Sequence, residues 1–144
     1  MERAVRKTVV EPGWEPVDFI HSGSTLLNLA LSNKGLDGGW ARGRVDNIVG
    51  DGSSGKTLLG LEAGANVYYN YMGNVSHNFP KVDNVEVILN NVEGVMDFPV
   101  ESMYGKPFLA DVVEKSIRTS SVEEFGKDFF RRVRALEDGT MMLY

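Results

Sequence analysis

The stretch GDGSSGKT, residues 50–57, decides how the rest of this sequence is interpreted. It satisfies the pattern G-x-x-x-x-G-K-[ST] with Gly50, Gly55, Lys56 and Thr57. RVDNIVG, immediately before the loop, predicts a buried strand that uses Val45, Ile48 and Val49. TLLGLEAGANVYYNYM, after it, predicts a helix over residues 56–72. A strand before this pattern and a helix after it are the context in which such a loop binds phosphate.

Each residue type in the loop suits a phosphate ligand. Glycines lack the Cβ atoms that would keep the backbone away from a phosphate, and they allow positive φ angles. The backbone amides then point inward, and the following helix adds the positive end of its dipole. Lys56 would neutralise phosphate charge, and Thr57 would offer its hydroxyl to Mg²⁺. The stretch alone predicts binding of a nucleoside triphosphate, and the alternative is a glycine-rich turn with an exposed lysine.

Composition excludes several classes of protein. The 144 residues suffice for one domain, and 42% hydrophobic with 24% charged residues is typical of a soluble globular chain. No apolar run is long enough to span a membrane, and the N-terminus has no signal-peptide core, so we expect a cytoplasmic protein. A net charge of −5 argues against a basic nucleic-acid binder, and zero cysteines with two histidines argue against structural zinc.

Elsewhere, helical and strand patterns alternate, which predicts an α/β domain with a largely parallel sheet. A helix is expected from the N-cap Ser24 to a stop at Gly35. Strands are expected at residues 85–89, 108–113 and 140–144.

A long helix is expected from Ser121, with Glu124 closing a capping box and Asp138-Gly139 stopping it. Its predicted core-facing stripe is Val122, Phe125, Phe129, Phe130, Val133 and Leu136. Small residues at Gly60 and Gly64 predict close packing of the helix after the loop.

Residues 23–63 resemble the entry to the ATPase core of the RecA recombinase family. In that family a segment G-S-x-x-L-x-x-A-L precedes a glycine turn, then G-R, a strand and the phosphate loop. The matching residues here are Gly23, Ser24, Leu27, Ala30, Leu31, Gly43 and Arg44. Phage and prophage members of the family resemble the chain most closely. The resemblance implies a RecA-like P-loop NTPase core that binds ATP and Mg²⁺ through Gly50, Asp51, Gly52, Ser53, Ser54, Gly55, Lys56 and Thr57.

The resemblance also implies roles for two carboxylates. Glu93 occupies the place of the glutamate that polarises the attacking water, which makes Lys56 and Glu93 the implied catalytic pair. Asp97 occupies the place of an acidic residue close to the nucleotide base. The family also places an aromatic ring against the adenine, and Phe98 and Tyr104 are the candidates here, although their spacing departs from the family pattern.

The family further implies single-stranded DNA and a homo-oligomeric filament as partners of an intact recombinase. Residues 1–16 would form an N-terminal arm, with Arg3, Arg6 and Lys7 in a docking role, and residues 17–144 a partial ATP-binding domain. TMMLY resembles the start of the Walker B strand, whose Mg²⁺-holding aspartate would fall beyond Tyr144. The resemblance therefore implies a truncated core with at most weak nucleotide affinity, little hydrolysis and little DNA binding.

Two other functions stay open at this point. One is a different motor ATPase of the same superfamily, helicase-like or clock-like, and the other is a noncatalytic nucleotide- or partner-binding module. RRVR, residues 131–134, is expected to be a solvated helical face, because acidic residues share its helix. We expect His77 on the surface, and Tyr68, Tyr69 and Tyr71 in helix packing rather than base stacking.

Overall fold

The computed structural model describes residues 19–71 and 82–144 as an α/β arrangement of short strands and helices. In chain order the elements are β1 (Phe19–Ile20), α1 (Thr25–Ser32), β2 (Trp40–Ala41), α2 (Lys56–Tyr71), β3 (Asn84–Val87), α3 (Val100–Phe108), α4 (Val122–Ala135) and β4 (Thr140–Leu143). A π-helical turn, Leu109–Val113, continues α3. Arg3, Arg6, Lys7 and His77, with the predicted arm, lie outside the described residues.

The strands form two pairs. β3 and β4 are parallel, in a register that places Val85 opposite Met141 and Val87 opposite Leu143. The pair β1–β2 is antiparallel and two residues long. The strands expected at 85–89 and 140–144 are thus present and parallel, while the largely parallel sheet is reduced, in the described residues, to this pair and a single parallel bridge between Asn90 and Ile117.

The core is built around α2. One face of this helix carries Leu61 and Ala65 into a cluster with Val100, Phe108 and Val112. Another face carries Val67 into a cluster with Ile20 and Met141. Both clusters therefore depend on α2, because this helix lies between α3 and the strands.

Gly64 allows α2 to approach β3 closely. A Cβ atom there would lie 3.3 Å from a methyl of Val87 and 3.5 Å from the ring of Phe108. The predicted close packing is confirmed at Gly64 and is wrong at Gly60, where a Cβ would meet nothing within 4 Å. Gly60 lies on the exposed side of the helix.

The strand predicted over residues 108–113 is wrong, since this segment is helical. Phe108 and Val112 are four residues apart and are buried in the same cluster, which a helical backbone achieves and an alternating strand does not. The helix before it, α3, is broken at Gly105, with φ 83° and ψ 163°, ahead of Pro107.

The strand predicted immediately before the loop is also wrong. Residues 42–50 form no strand, and Val45 and Val49 are 94% and 85% exposed. A strand needs a neighbour for its backbone hydrogen bonds. Among the described residues β1 pairs with β2 and β3 with β4, so nothing pairs with this segment.

The helix ends follow the predicted caps with three differences. Ser24 caps α1 by accepting from the Leu27 amide, but α1 ends at Ser32 because Asn33 takes the left-handed conformation, ahead of the predicted stop at Gly35. Ser121 caps α4 by accepting from the amide of Glu124. The carboxylate of Glu124 accepts from the amide and hydroxyl of Ser120, and not from the amide of the N-cap residue as a capping box requires. The helix α4 ends at Ala135, before the predicted stop at Asp138-Gly139.

The core-facing role predicted for the apolar stripe of α4 is wrong, because this helix buries none of its residues. Val122 is 86% exposed and Phe130 is 58% exposed. Phe125 and Phe129 instead pack edge-on against the ring of Tyr144. The helical spacing of apolar residues indicates that a helix is amphipathic, but the apolar stripe is buried only where another element covers it.

Asp128 attaches α4 to the end of β4. Its carboxylate accepts from the hydroxyl of Tyr144 at 3.0 Å and from Arg132 Nε at 2.7 Å, and it also pairs with Arg131. These bonds, that to Arg132 above all, lower the pKa of Asp128 to about 2, against a smaller opposing effect of desolvation. Arg131 and Arg132 of the basic stretch RRVR are thus ion-paired on the helix, which carries acidic residues as expected.

The two glycines of α2 should respond oppositely to added side chains. We expect Gly60→Ala to stabilise the fold by about 0.5–1 kcal/mol, because alanine is the better helix former and its methyl meets open space. We expect Gly64→Val to destabilise it by about 1–3 kcal/mol, because the side chain would push into Val87 and Phe108. Urea unfolding curves measure both, and equal effects at the two sites would contradict the packing described.

Acid should weaken the attachment of α4 through Asp128. Its folded-state pKa of about 2 lies below the unfolded value, so the ionised carboxylate stabilises the fold above about pH 4 and this contribution is lost as the pH falls towards 2. We expect Asp128→Asn to lower stability at neutral pH and to flatten the decline between about pH 4 and 2. Urea unfolding across that range measures this, and Glu86→Gln, at an exposed position of β3, should leave the slope unchanged.

Candidate phosphate-binding site

The loop of residues 50–57 is a turn that leads directly into α2. Its backbone takes positive φ at Ser53 (58°) and Gly55 (86°), and the Ser54 amide donates to the Asp51 carbonyl at 3.3 Å. Gly55 meets the conformational need without strain, whereas Ser53 pays a small steric cost. The Leu59 amide donates to the Gly55 carbonyl at 2.9 Å, so the loop runs into the first helical turn.

Lys56 closes the loop on itself. Its ammonium donates to the carbonyls of Gly50 at 2.9 Å and Asp51 at 2.6 Å, and lies 3.4 Å from the hydroxyl oxygen of Ser54. All three ammonium hydrogens therefore have oxygen partners within the loop. A positive charge is held at the N-terminus of α2, where the helix dipole is also positive.

The loop fits a phosphate in three further respects. The first turn of α2 contains no acidic residue that would compete with an anion for the helix N-terminus. Cβ atoms at Gly52 and Gly55 would meet nothing within 4 Å, so the backbone is open on those sides. The loop residues Gly50, Asp51, Gly52, Ser53, Ser54 and Thr57 are exposed.

The donor set for a metal ion is sparse. Within residues 19–71 and 82–144, no cluster of three His, Cys, Asp or Glu residues could hold a metal. Mg²⁺ commonly keeps several waters and takes phosphate oxygens with only one or two protein ligands. The exposed hydroxyl of Thr57, at the start of α2, fits such a shared site.

Glu93 and Asp97 follow β3 in an exposed segment. The carboxyl ends of parallel strands meet at the edge of the sheet where ligands bind in open α/β folds. Residues 88–91 continue from β3 along this edge, and Glu93 lies in the turn that follows. In the described part of the chain, neither carboxylate makes a hydrogen bond or ion pair with loop 50–57, so the structure does not bring them into contact with Lys56.

Aromatic side chains near this edge belong to the core. Phe98 and Tyr104 both pack against the α2–α3 cluster. Burial above all, with the nearby Glu62 carboxylate, raises the pKa of Tyr104 to about 12. Tyr68 and Tyr69 also pack there, as predicted.

The sequence did not single out the asparagine pair Asn90 and Asn91, which shapes the segment after β3. Asn90 bonds to Thr119, with its Nδ2 donating to the Thr119 hydroxyl at 2.9 Å and its Oδ1 accepting from the Thr119 amide at 3.2 Å. The Asn91 side chain accepts from the Gly94 amide and donates to the Val95 carbonyl, within the turn that carries Glu93. Asparagines at the end of a strand are typical turn residues, and that signal was present in NNVEG.

The comparisons with known proteins agree with a RecA-like relationship over a short segment. The chain is 52% identical over 52 residues to Protein RecA of Streptomyces venezuelae, and 53% identical over 51 residues to Protein RecA of Nocardioides sp.. These segments are 36% and 35% of this chain, and the chain spans only 13% of the length of either relative. No family model and no solved structure matches.

The relatives reported are proteins of Streptomyces and Nocardioides, so the predicted phage-type resemblance has no support from them. In the described residues no helix has the length and apolar character needed to cross a membrane.

Proposed function

We propose that this chain binds ATP with Mg²⁺ through residues 50–57, as part of a RecA-like ATP-dependent DNA recombinase. The observation that carries the proposal is the preformed cationic loop. Lys56 is held by the carbonyls of Gly50 and Asp51, at the start of a helix whose first turn has no carboxylate. Such a loop offers amides, an ammonium and a helix dipole to one anion.

The residues of the loop divide the work of holding the triphosphate. The backbone from Gly50 to Gly55 wraps the phosphates, and Lys56 exchanges its loop carbonyls for phosphate oxygens. Thr57 contributes a hydroxyl to Mg²⁺, which when bound neutralises charge on the β and γ phosphates. Asp97 contacts the nucleotide on the side of the base. Glu93 orients and polarises the water that attacks the γ phosphate, which makes it the proposed catalytic carboxylate.

For the whole protein we propose a cytoplasmic recombinase that forms filaments on single-stranded DNA. Identity of about half the residues to RecA proteins over 52 residues supports this relationship. Another motor ATPase of the same superfamily would share the loop but not the DNA-strand exchange. A noncatalytic module would lack nucleotide binding, or bind nucleotide without a role for Glu93.

The lysine of the loop provides the direct test of the nucleotide site. We expect Lys56→Ala to weaken ATP–Mg²⁺ binding by about tenfold or more, or about 1.4 kcal/mol, because a charge-assisted contact with phosphate is lost. Titration with a fluorescent ATP analogue, followed by competition with ATP, measures the affinity. Lys106→Ala is the matched control, because the Lys106 side chain is 82% exposed and its ion pair with Glu101 is long, at 3.7 Å. Equal affinities of the Lys56→Ala variant and the unaltered chain would refute the phosphate-site proposal.

The glutamate after β3 tests hydrolysis separately from binding. We expect Glu93→Gln to keep ATP affinity within about twofold and to slow hydrolysis at least about tenfold, because the amide cannot polarise water as a carboxylate does. Single-turnover assays with protein in excess over radiolabelled ATP suit a slow enzyme. Glu101→Gln, at an exposed position of α3, serves as the control. Hydrolysis unaffected by Glu93→Gln would remove the catalytic role of Glu93 and leave the binding proposal standing.

A further inference from the structure

The turn that carries Glu93 is closed by one side chain. The Gly94 amide donates to the backbone carbonyl of Asn91 at 3.2 Å and to its side-chain Oδ1 at 3.1 Å. The side-chain Nδ2 of Asn91 donates to the Val95 carbonyl at 3.3 Å. Asn91 therefore contacts both residues that follow Glu93, while the Glu93 carboxylate itself stays exposed.

Asn91 is in turn anchored to the body of the fold. Its amide donates to the Ile117 carbonyl at 2.9 Å, and the Ile117 amide donates to the Leu89 carbonyl at 2.9 Å. The reciprocal bonds between Asn90 and buried Thr119 extend this attachment by two residues. Because Asn90 and Asn91 are attached to residues 117–119, the start of the turn has little conformational freedom. The contacts of Asn91 therefore determine the orientation of the turn.

The turn has a backbone conformation at Gly94 that favours glycine. Gly94 has φ 74°, a region that side-chain-bearing residues rarely adopt. A Cβ atom there would lie 2.6 Å from a guanidinium nitrogen of Arg118, which covers the turn. The Asn91 side chain therefore bonds to a peptide segment that the exposed side chain of Arg118 also approaches.

We propose that Asn91 is the positioning residue for Glu93. Its amide group fixes the peptide after Glu93 and so holds the carboxylate at the C-terminal edge of the parallel strands, without contacting substrate itself. The inference rests on the proposed function, since it takes Glu93 as the group that orients the attacking water. Catalysis depends steeply on such placement, because a small displacement of a reacting group can cost about 100-fold in rate.

The test compares Asn91→Ala with two reference variants. Asn84→Ala is the matched control, because Asn84 lies at the other end of the same strand and its Oδ1 accepts from the amide of the adjacent Val85. Asn91→Ser is the conservative variant, because a neutral hydroxyl can accept from the Gly94 amide but cannot reach the Val95 carbonyl. Three quantities are measured: amide hydrogen exchange at Gly94, the dissociation constant for ATP, and the single-turnover rate of hydrolysis.

We expect Asn91→Ala to speed exchange at Gly94 and to slow hydrolysis, each by about tenfold or more, with ATP affinity within about twofold of the unaltered chain. Asn91→Ser should recover part of both losses, and Asn84→Ala should change neither. A general loss of structure would instead weaken ATP binding and raise exchange along α2. Combining Asn91→Ala with Glu93→Gln should slow hydrolysis little more than Glu93→Gln alone, since the two act as a unit.

The inference is overturned if Asn91→Ala hydrolyses ATP at the rate of the unaltered chain, or if its rate falls while exchange at Gly94 is unchanged. It is also overturned if the unaltered chain shows no hydrolysis that depends on Glu93, since no carboxylate then needs placing. In that last case Lys56-dependent ATP binding can still hold, which separates failure of this inference from failure of the binding proposal.

Discussion

The close contact between α2 and β3 at Gly64 is the constraint on which the rest of the structure depends. With hydrogen alone on its Cα, this residue lets the helix lie against Val87 and the ring of Phe108. The N-terminus of the same helix carries Lys56 and the loop, and the segment after the same strand carries Glu93. The relative position of the candidate lysine and the candidate glutamate is therefore set by how these two elements pack, although each residue belongs to a local motif.

The loop and the glutamate segment are organised by different means. The loop is closed by a single charged side chain that bonds to its own backbone, and such a contact can be exchanged for phosphate oxygens at little cost. The segment after β3 is closed by neutral amides, Asn90 and Asn91, tied to residues 117–119. An exchangeable cation in the loop and neutral amides after β3 suit the proposed capture of a nucleotide by Lys56 and the proposed orientation of a water by Glu93.

Sequence reasoning succeeded where the signal was local. The caps at Ser24 and Ser121 and the helix after the loop were all predicted, because each depends on neighbouring residues in the chain. It failed at 44–49, at 108–113 and at the stripe of α4, where the outcome depended on a partner. Among the described residues, no strand pairs with the segment of Val49 and no element covers Phe130, so both stay exposed. Val112 is helical because it shares a cluster with Phe108.

By itself the sequence determined which residue types the loop offers to a ligand. It also determined the chain's similarity to RecA proteins over a short segment. Both depend on residue types in a fixed order. Only the tertiary structure decided that Lys56 bonds to its own loop and that Gly64, not Gly60, is the packing glycine. Only the tertiary structure shows that the amide of Asn91 donates to the carbonyl of Ile117, a residue 26 positions later in the sequence. The physical reason is that hydrogen bonds and close packing act between groups adjacent in space, and a chain's order does not state which groups those are.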